Sequence, residues 1–422
     1  MQLVAYGAQD VYLTGNPKVT FFQAVYKRHT NFAMENIEQV VNGSASNSGR
    51  LSVTVARNGD LIGNMYLELT STGSASAAGN VWTAERAVQD VELTIGGQRI
   101  DKHYQKWWRL YAELYLDDAK KAEWGKVTSA LAANEKCVLP LIFFFNRNPG
   151  LYLPLIAIQY HEVRLDIDLA SDFTQNFTTS VKVWGNYVYL DSEERRRFAQ
   201  KGHEYLIEQV QHTGSDSISA GENQVRLSYN HPVKELAWCL SNTTTQATRP
   251  ENSHWAFVDT PGVLLCTSNV AELGSGVSNA AVEPHKSGAP FLFVDGAADC
   301  GLDEKASALD GRNLVPGPLD KFKLILNGQD RFKEQDGYYF NQLQPMCHHS
   351  GNPMAGVYCY SFALKPEEHQ PTGTCNFSRI DNAQVAVTPK TSTAGINQLN
   401  MFAVNYNILK VQSGMGGLAF SN

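Results

Sequence analysis

Alternation of apolar and polar residues at every second position is the dominant pattern along the chain. It is clearest at residues 51–55, 66–70, 91–95 and 163–169. Because successive side chains of a strand point to opposite faces, each of these segments predicts a half-buried strand. Clusters of Gly, Asn, Ser and Pro separate them, as turns require. Many short strands with few helices predict an all-β sandwich or jelly roll.

Helical spacing occurs in two places. Across residues 104–116 one stripe of apolar residues comprises Trp107, Leu110, Tyr111, Leu114 and Tyr115. This spacing predicts a helix that packs against the end of a sheet, rather than an aromatic platform for a ligand. A second helix is predicted to begin at Asp191 or Ser192, either of which could cap its first turn.

Several elements occur twice along the chain, in the same order and at nearly the same offset. The matching segments are 91–100 with 322–332, both of which run into a Gly-Gln turn, and 183–190 with 402–409. An aromatic helix follows the first turn and has a counterpart at residues 338–343. The repeat predicts one duplicated β-domain, with copies near residues 30–190 and 224–412.

The two copies differ most in the connection that precedes the Gly-Gln strand. It is short in the first copy, at residues 71–86, and long in the second, at about residues 267–319. The long connection is rich in Gly, Ala, Ser, Asn and Pro. A loop of this length inside a compact domain is usually functional or disordered.

Composition narrows the class of protein. The chain has 422 residues, enough for two or three domains. Charged residues make up 18% and apolar residues 43%. With charge below the usual value of about 25% and ordinary hydrophobicity, the chain is neither disordered nor a charged coiled coil. We expect large permanent contacts with copies of itself, because little of its surface carries charge.

The charge balance argues against nucleic-acid binding. The net charge is -7, from 35 basic and 42 acidic residues. Phosphate binding needs clustered Lys and Arg. The basic runs are short, at residues 26–29 and 193–197, and the second is more typical of a solvated helix start.

The lack of a signal peptide in the sequence and the pattern of cysteines indicate a reduced compartment. The first ten residues lack the basic start and long apolar region of a signal peptide. No stretch approaches the roughly 18 apolar residues of a spanning helix. The seven cysteines are odd in number and form no Cys-x-x-Cys pair, so we expect free buried thiols.

Catalytic motifs are missing from the sequence. There is no phosphate-binding Gly-x-x-x-x-Gly-Lys-Ser/Thr loop and no Gly-x-Ser-x-Gly elbow. His161 and Glu162 begin like a zinc-protease motif but lack the second His four positions on. The sequence therefore predicts no enzyme, no catalytic or cofactor-binding residue, and no cofactor.

Candidate metal ligands are equally weak. Asp166 and Asp168 share a strand face, but a solvated sheet face explains them better than a cation site. The neighbours His348 and His349 would face opposite ways on a strand. The acidic residues of the long loop, Asp299, Asp303 and Glu304, match no calcium-loop spacing. Residues 414–417 indicate a flexible Gly-rich tail. No metal ligand is predicted.

Blocks spanning nearly the whole chain resemble the major capsid proteins of nucleocytoplasmic large DNA viruses, the group of iridoviruses, phycodnaviruses and giant viruses. These blocks are residues 3–17, 20–22, 26–33, 193–199, 230–238, 366–381, 405–407 and 413–420. The stretch 366–381 is the most specific. The long loop shows no such resemblance, as expected for a variable exposed segment.

The resemblance implies an all-β double jelly roll: two eight-stranded antiparallel β-sandwiches with a few short helices. It divides the chain into an N-terminal arm at 1–30, a first jelly roll at 31–200 and a second at 201–422. The second contains the loop at about 267–319 and a C-terminal tail. The implied function is that of a major capsid protein, whose homotrimers of pseudo-hexagonal outline tile an icosahedral shell. The internal repeat fits this geometry, since three chains with two similar domains give six corners.

The resemblance also implies partners and location. The chain would contact itself within the trimer, neighbouring trimers, and minor capsid and penton proteins. The arm would lie on the inner face of the shell, close to the internal viral membrane, with no direct contact to nucleic acid. The loop at 267–319 would form a folded tower against a neighbouring chain, because its run 291–294 is too apolar to stay in water. The protein would reside in the virion after assembly in the host cytoplasm.

Two other functions compete with a shell protein. A cellular jelly-roll enzyme or metal-binding cupin would need a His-x-His pair on one strand, and none of the 11 His residues lies two positions from another. A sugar-binding jelly-roll module would need exposed aromatic platforms in loops. Trp255 is the only Trp near the long loop, so the sequence gives this alternative little support.

Overall fold

The computed structural model describes residues 7–73, 82–130, 132–241, 263–266, 292–295, 318–353, 356–390 and 397–420. The strands of the first half are β1 (Phe32–Gln39), β2 (Val41–Gly43), β3 (Arg50–Thr54), β4 (Leu61–Ser71), β5 (Val88–Ile95), β6 (Gln98–Tyr104), β7 (Lys136–Pro140), β8 (Val163–Leu169) and β9 (Phe177–Leu190). Those of the second half are β10 (His203–Ser217), β11 (Asn223–Leu227), β12 (Pro232–Ser241), β13 (Val263–Cys266), β14 (Leu292–Asp295), β15 (Leu319–Leu326), β16 (Gln329–Asp330), β17 (Gln335–Asp336), β18 (Val357–Ser361), β19 (Cys375–Asn376), β20 (Ala383–Pro389), β21 (Gln398–Gln412) and β22 (Met415–Leu418).

The described helices are short and lie mostly in connections between strands. They are Asp10–Thr14, Gln105–Tyr115, Asp118–Thr128, Phe144–Arg147, Phe173–Asn176, Ser192–Gln200 and Gln344–His348, the 3₁₀ turns Thr83–Arg86, Pro149–Leu151 and Phe377–Arg379, and the π-helical turn Tyr339–Leu343.

Each half of the chain folds into a sandwich of two antiparallel sheets. In the first sandwich the sheets have the orders β1-β9-β4-β7 and β2-β3-β8-β5-β6. In the second sandwich the corresponding orders are β10-β21-β12-β18 and β11-β20-β15-β16, with β22, β19 and β17 added at their sides. Strand for strand, the two orders correspond, and eight equivalent strands in each half give the predicted double jelly roll.

The repeated Gly-Gln turns are equivalent hairpins. Gly96 and Gly97 join β5 to β6 with φ of 58° and 81°, and Asn327 and Gly328 join β15 to β16 with φ of 52° and 78°. Two consecutive positive φ values are typical of the tight hairpin turn that requires Gly or Asn. The sequence match therefore identifies equivalent strands.

The second match identifies equivalent strands but not equivalent side chains. Residues 183–190 lie in β9 and 402–409 in β21, which hold the same place in their sheets. The alignment pairs Trp184 with Ala403. Trp184 is partly exposed and donates to Glu68, whereas Ala403 lies in the apolar core of the second sandwich. A shift of one residue reverses the facing of a strand, so this alignment is wrong in register.

The predicted helix at 104–116 is present as Gln105–Tyr115, but it is buried on more than one side. Besides Trp107, Leu110 and Leu114, it buries Arg109 and Glu113. The second predicted helix is Ser192–Gln200. Asp191 occupies its N-cap position, yet the described structure shows no capping hydrogen bond from that side chain.

Two sequence expectations need correction or fall outside the described residues. The Gly-rich segment 414–417 is not a flexible tail, because β22 pairs with β21 over Met415–Leu418. The predicted tower at 267–319 lies outside the described residues apart from 292–295 and 318–319. Residues 292–295 of that range form β14, which pairs antiparallel with β13, just before the range begins.

Candidate functional site

An extensive buried contact joins the two sandwiches, and we call it the seam. On one side lie β6 and the helix Gln105–Tyr115. On the other lies the outer face of the β10-β21-β12-β18 sheet, the face that points away from its own sandwich. Trp107 packs against Phe402 with ring centroids 5.7 Å apart, and Tyr104 packs against His212 at 4.9 Å. The apolar core of the first sandwich continues through this contact into β12 and β21.

Hydrogen bonds to the backbone fix the position of the seam. The Asp101 carboxylate accepts from the amide of Val210 at 3.0 Å, and the Gln209 side chain donates to the Ile100 carbonyl. At the far end of the helix, the amide of Gly351 donates to the Leu114 carbonyl at 3.0 Å. These bonds satisfy polar groups along a buried contact and favour a single register between the sandwiches.

A buried carboxylate joins cations from both sandwiches. Glu208 accepts from Lys234 Nζ at 2.6 Å and from Arg147 Nη2 at 2.9 Å. Lys234 also donates to the Pro366 carbonyl at 2.6 Å. Side-chain exposure is 0% for Lys234, 7% for Glu208 and 26% for Arg147. Burial lowers the pKa of Lys234 to about 8 although Glu208 opposes this shift. Burial alone would raise the pKa of Glu208, but Arg147 and Lys234 hold it below its usual value.

A second charged contact surrounds His349. Its Nε2 lies 3.0 Å from Glu235 Oε2, and its Nδ1 lies 3.3 Å from Glu367 Oε1. The ring of Tyr115, from the first sandwich, packs edge-on at 5.2 Å. Burial alone would lower the pKa of His349, but Glu235 and Cys359 together outweigh burial and raise this pKa well above its usual value.

Replacement of His349 by Gln is expected to destabilise the fold by about 3 kcal/mol near pH 6, because Glu235 loses its buried counter-charge. A histidine with a raised pKa stabilises the folded chain fully below about pH 6.5, and that contribution is lost as the pH rises through its folded pKa. The difference between wild type and His349→Gln in urea unfolding should therefore shrink on going from pH 6 to pH 9.

The neighbouring His348 provides the control. It contacts the Leu364 carbonyl at 3.1 Å from a solvent-accessible position. His348→Gln should cost less than about 1 kcal/mol and show no such pH trend. Equal effects of the two substitutions would contradict the assignment of a stabilising charge to His349.

Another buried network lies beneath the helix Gln105–Tyr115. Arg109 contacts Glu85 at 3.4 Å and Glu113 at 3.2 Å, and Lys121 contacts Glu113 at 2.9 Å. Lys121 also reaches across the seam to the Asn352 carbonyl at 2.6 Å. Burial raises the pKa of Glu85 to about 7, against the opposing effect of Arg109. The network positions the helix that forms one side of the seam.

The C-terminal strand closes the other end of the seam. The amide of Leu418 donates to Gln98 Oε1 at 3.1 Å, and His161 Nδ1 lies 2.8 Å from the Gly416 carbonyl. A Cβ on Gly416 would lie 3.2 Å from Ile95, so only Gly packs this closely without movement. His161, considered from sequence as the start of a metal motif, thus contacts backbone instead.

A cleft of about 380 Å³ opens beside the buried charges of the seam. Its lining includes Tyr111, Tyr115, Lys120, Arg147, Glu208 and Glu367. Cations and carboxylates both line it, and Arg147 and Glu208 already pair at 2.9 Å, so the cleft offers no uniform charge to a ligand.

The other candidates from sequence do not converge on a site. Asp166 lies 2.6 Å from Arg164 and 3.5 Å from Arg50, and Asp168 lies 3.7 Å from Arg50, so guanidinium groups fill the space of a cation. His348 ends a helix rather than lying on a strand. In the ranges that the structure covers, no three His, Cys, Asp or Glu side chains are arranged to hold a metal ion. Asp299, Asp303, Glu304 and Trp255 lie outside the described residues.

The described thiols are free, as expected, but not all of them are buried. Cys137, Cys239 and Cys359 are buried, Cys375 is half-buried and Cys347 is exposed. The basic run 193–197 starts a solvated helix, in which Arg195 contacts Asp60 at 3.0 Å. In the described portion of the chain, no helix has the length and apolar character to cross a bilayer.

Sequence reasoning missed the charged residues of the seam. Arg147, Glu208 and Lys234 are far apart along the chain and share no spacing pattern. One signal was available: Lys234 and Glu235 interrupt the apolar strand β12, and adjacent charges inside such a strand indicate buried partners.

The described part of the N-terminal arm, residues 7–30, lies apart from the seam. Its hydrogen bonds join residues within four positions of each other. Large apolar side chains are exposed along it, namely Val11, Tyr12, Leu13, Val19, Phe21, Phe22, Val25 and Tyr26. Contiguous exposed apolar side chains are typical of interaction sites.

Comparison with known proteins identifies the family. A family model described as large eukaryotic DNA virus major capsid protein matches residues 194–417, and one described as major capsid protein N-terminus matches residues 20–191. The major capsid protein of Paramecium bursaria Chlorella virus 1 is 42% identical, over 100% of this chain and 99% of the relative. That of Phaeocystis pouchetii virus is 38% identical with the same coverage.

Solved structures agree. A chain of the quasi-atomic PBCV-1 virus capsid has a TM-score of 0.77 and 37% identity, over 96% of this chain and 100% of that chain. The Faustovirus major capsid protein has a TM-score of 0.68 at 12% identity, over 96% and 94%, which shows the shared fold alone. The relatives are structural proteins, so the prediction that the chain is not an enzyme is confirmed. The chain belongs to the major capsid protein family of large eukaryotic DNA viruses.

Proposed function

We propose that the chain assembles into homotrimers of pseudo-hexagonal outline, which tile the icosahedral shell of a large double-stranded DNA virus. The observation that carries this proposal is the repeated strand order in one chain. Two similar sandwiches, fixed side by side by a buried seam, give a trimer six similar corners. The low charged fraction of 18% supports extensive contacts between copies.

The proposed division of the chain is an N-terminal arm at 1–30, a first jelly roll at 31–200 and a second at 201–422. The proposed partners are neighbouring trimers together with minor capsid and penton proteins. The exposed apolar side chains of the arm support a contact at the inner face of the shell, with minor capsid proteins or the internal membrane. The proposed location is the virion, after assembly in the host cytoplasm.

Sedimentation of the purified protein tests the trimer. Under native conditions at micromolar concentration, we expect a single species with three times the mass of one chain and no detectable exchange of subunits over hours. A sedimenting monomer at this concentration would contradict the proposal.

Deletion of residues 1–30 tests the arm. We expect a folded trimer with unchanged sedimentation, because the arm makes only local hydrogen bonds, but no closed shells by electron microscopy. A variant that replaces Phe21, Phe22 and Tyr26 by Ser keeps the arm length and should show the same defect. Normal particles from both variants would refute a role of the arm in assembly.

A further inference from the structure

The seam pairs two structural features, and each of them occurs twice in the chain. One is the helical segment that follows the Gly-Gln hairpin. The other is the outer face of the sheet that contains β9 or β21. Among the described residues of one chain, the helix of the first sandwich meets the sheet of the second sandwich. The helix of the second sandwich and the sheet of the first are left over.

The two helical segments differ in exposure. In the first sandwich, Trp107, Tyr111 and Tyr115 follow a four-residue spacing and are covered, wholly or in part, at the seam. In the second sandwich the segment Tyr338–His348 presents Tyr338 and Met346 to solvent, at 71% and 74% exposure. They lie eight residues apart, the same separation as Trp107 and Tyr115. Side chains that are covered in the first copy thus have uncovered counterparts.

The two outer sheet faces differ in the same way. In the second sandwich the outer face buries Ala237, Cys239, Val357 and Phe402 against the first. In the first sandwich the outer face of the β1-β9-β4-β7 sheet carries Phe32 and Met34 at 53% and 54% exposure, beside a partly exposed Trp184. Exposed Phe, Met and Trp on one sheet face are typical of the anchors of a protein interface.

Charges on this uncovered face do not oppose docking. Lys182 lies 3.2 Å from Glu38, and Lys136 lies 2.6 Å from Glu68. These groups are already paired, so the apolar side chains can be covered without leaving an isolated charge. The face therefore accepts an apolar helix surface.

We propose that the helical surface of Tyr338, Leu343 and Met346 docks on the outer sheet face of Phe32, Met34 and Trp184 in a second copy of this chain. The contact repeats the seam between chains and rests on the proposed trimer. The two surfaces differ, so the contact is head-to-tail, and such contacts close into a ring when the rotation allows. Three copies then place six sandwiches in a ring with one kind of contact throughout.

Matched substitutions of exposed residues test this contact. Met346→Asp and Met34→Asp each place a charge on one proposed surface, while the folded monomer keeps that position in solvent. Val127→Asp is the control, because Val127 is exposed on the helix Asp118–Thr128, outside both surfaces. Sedimentation across a urea series, with circular dichroism to verify folding, gives the dissociation of each trimer.

We expect Met346→Asp and Met34→Asp each to weaken the trimer on the order of 100-fold and to lower the urea concentration of dissociation, as for loss of an interface anchor. Val127→Asp should behave as wild type. A second readout is Cys347, beside Met346. Its reaction with a maleimide should be slower in the wild-type trimer than in dissociated Met346→Asp.

The outcomes separate this contact from the trimer itself. If the wild type is a trimer and both variants form equally stable trimers, the assigned surfaces are wrong but the proposed trimer stands. Intact trimers that no longer form shells would place the surfaces between capsomers, which also overturns the proposal. Weakening by only one variant would contradict the pairing of the two surfaces. A monomeric wild type would overturn both proposals.

Discussion

Replacement of Glu208 by Gln is expected to lower the free energy of unfolding by about 3 kcal/mol at pH 7. The variant leaves Lys234 and Arg147 in the seam without their shared carboxylate. Loss of one partner from a buried ion pair costs about 3–5 kcal/mol, because the remaining charge stays desolvated. The lower end applies here, since the Arg147 side chain is 26% exposed and can rehydrate. Urea unfolding followed by tryptophan fluorescence measures the change.

A surface pair provides the control for this substitution. Glu368 lies 2.8 Å from Lys365, and both side chains are more than half exposed. Glu368→Gln removes the same charge from an ion pair in water, where such pairs add little. It should leave the urea midpoint unchanged. Equal midpoints for Glu208→Gln and wild type would show that the buried network does not stabilise the seam.

Acid should weaken the seam through the same carboxylate. The pKa of Glu208 lies below its ordinary value of 4.5, because Arg147 and Lys234 outweigh its burial. A carboxyl with a lowered pKa stabilises the folded chain above its unfolded pKa, and this contribution is lost as the pH falls through its folded pKa. Wild type and Glu208→Gln should therefore converge in stability as the pH falls below about 4.5. A constant difference down to pH 2 would contradict this role.

Alternation predicted those strands that have one solvated and one buried face. The segments 51–55, 66–70, 91–95 and 163–169 all lie in or at strands of the first sandwich. Burial on both faces removes the alternation, as in β12, where Leu236, Trp238 and Leu240 face the core and Ala237 and Cys239 face the seam. Periodicity cannot assign the two faces of such a strand.

The seam itself could not be predicted from local patterns. Its apolar contacts and its charges join residues such as Trp107 and Phe402, or Arg147 and Lys234, which only the packing of the two sandwiches brings together. The repeat predicted a helix at 338–343, and the structure has helical turns over Tyr339–Leu343 and Gln344–His348, so the strand assumed for His348 and His349 when metal binding was weighed is wrong for His348. Internal sequence matches predicted the repeat and resemblance to a family implied the fold, but neither identified the residues that hold the two copies together.

Separate production of the two halves should show that neither sandwich is stable alone. Residues 201–422 without the first half would expose the seam face of β12, β18 and β21, including Val357, Phe402 and Val404. Full burial of each large apolar side chain is worth about 1.5–3 kcal/mol. Several together reach roughly 10 kcal/mol, which is comparable to the whole stability of a typical domain. We expect this half to aggregate and the two halves produced together to form one soluble complex.

A cut after folding separates the role of the seam from that of chain connectivity. A protease site inserted at Lys201 and Gly202, in the connection between the helix Ser192–Gln200 and β10, would be cleaved in the folded protein. Because the seam holds apolar faces, backbone hydrogen bonds and the Arg147–Glu208–Lys234 network, the cleaved halves should stay together in size-exclusion chromatography and dissociate only in denaturant. Adding Glu208→Gln to the cleaved protein should lower the denaturant concentration at which the halves part. A soluble, cooperatively folding 201–422 fragment, or halves that separate on cleavage, would mean that the covalent link, rather than the seam, fixes the two sandwiches side by side.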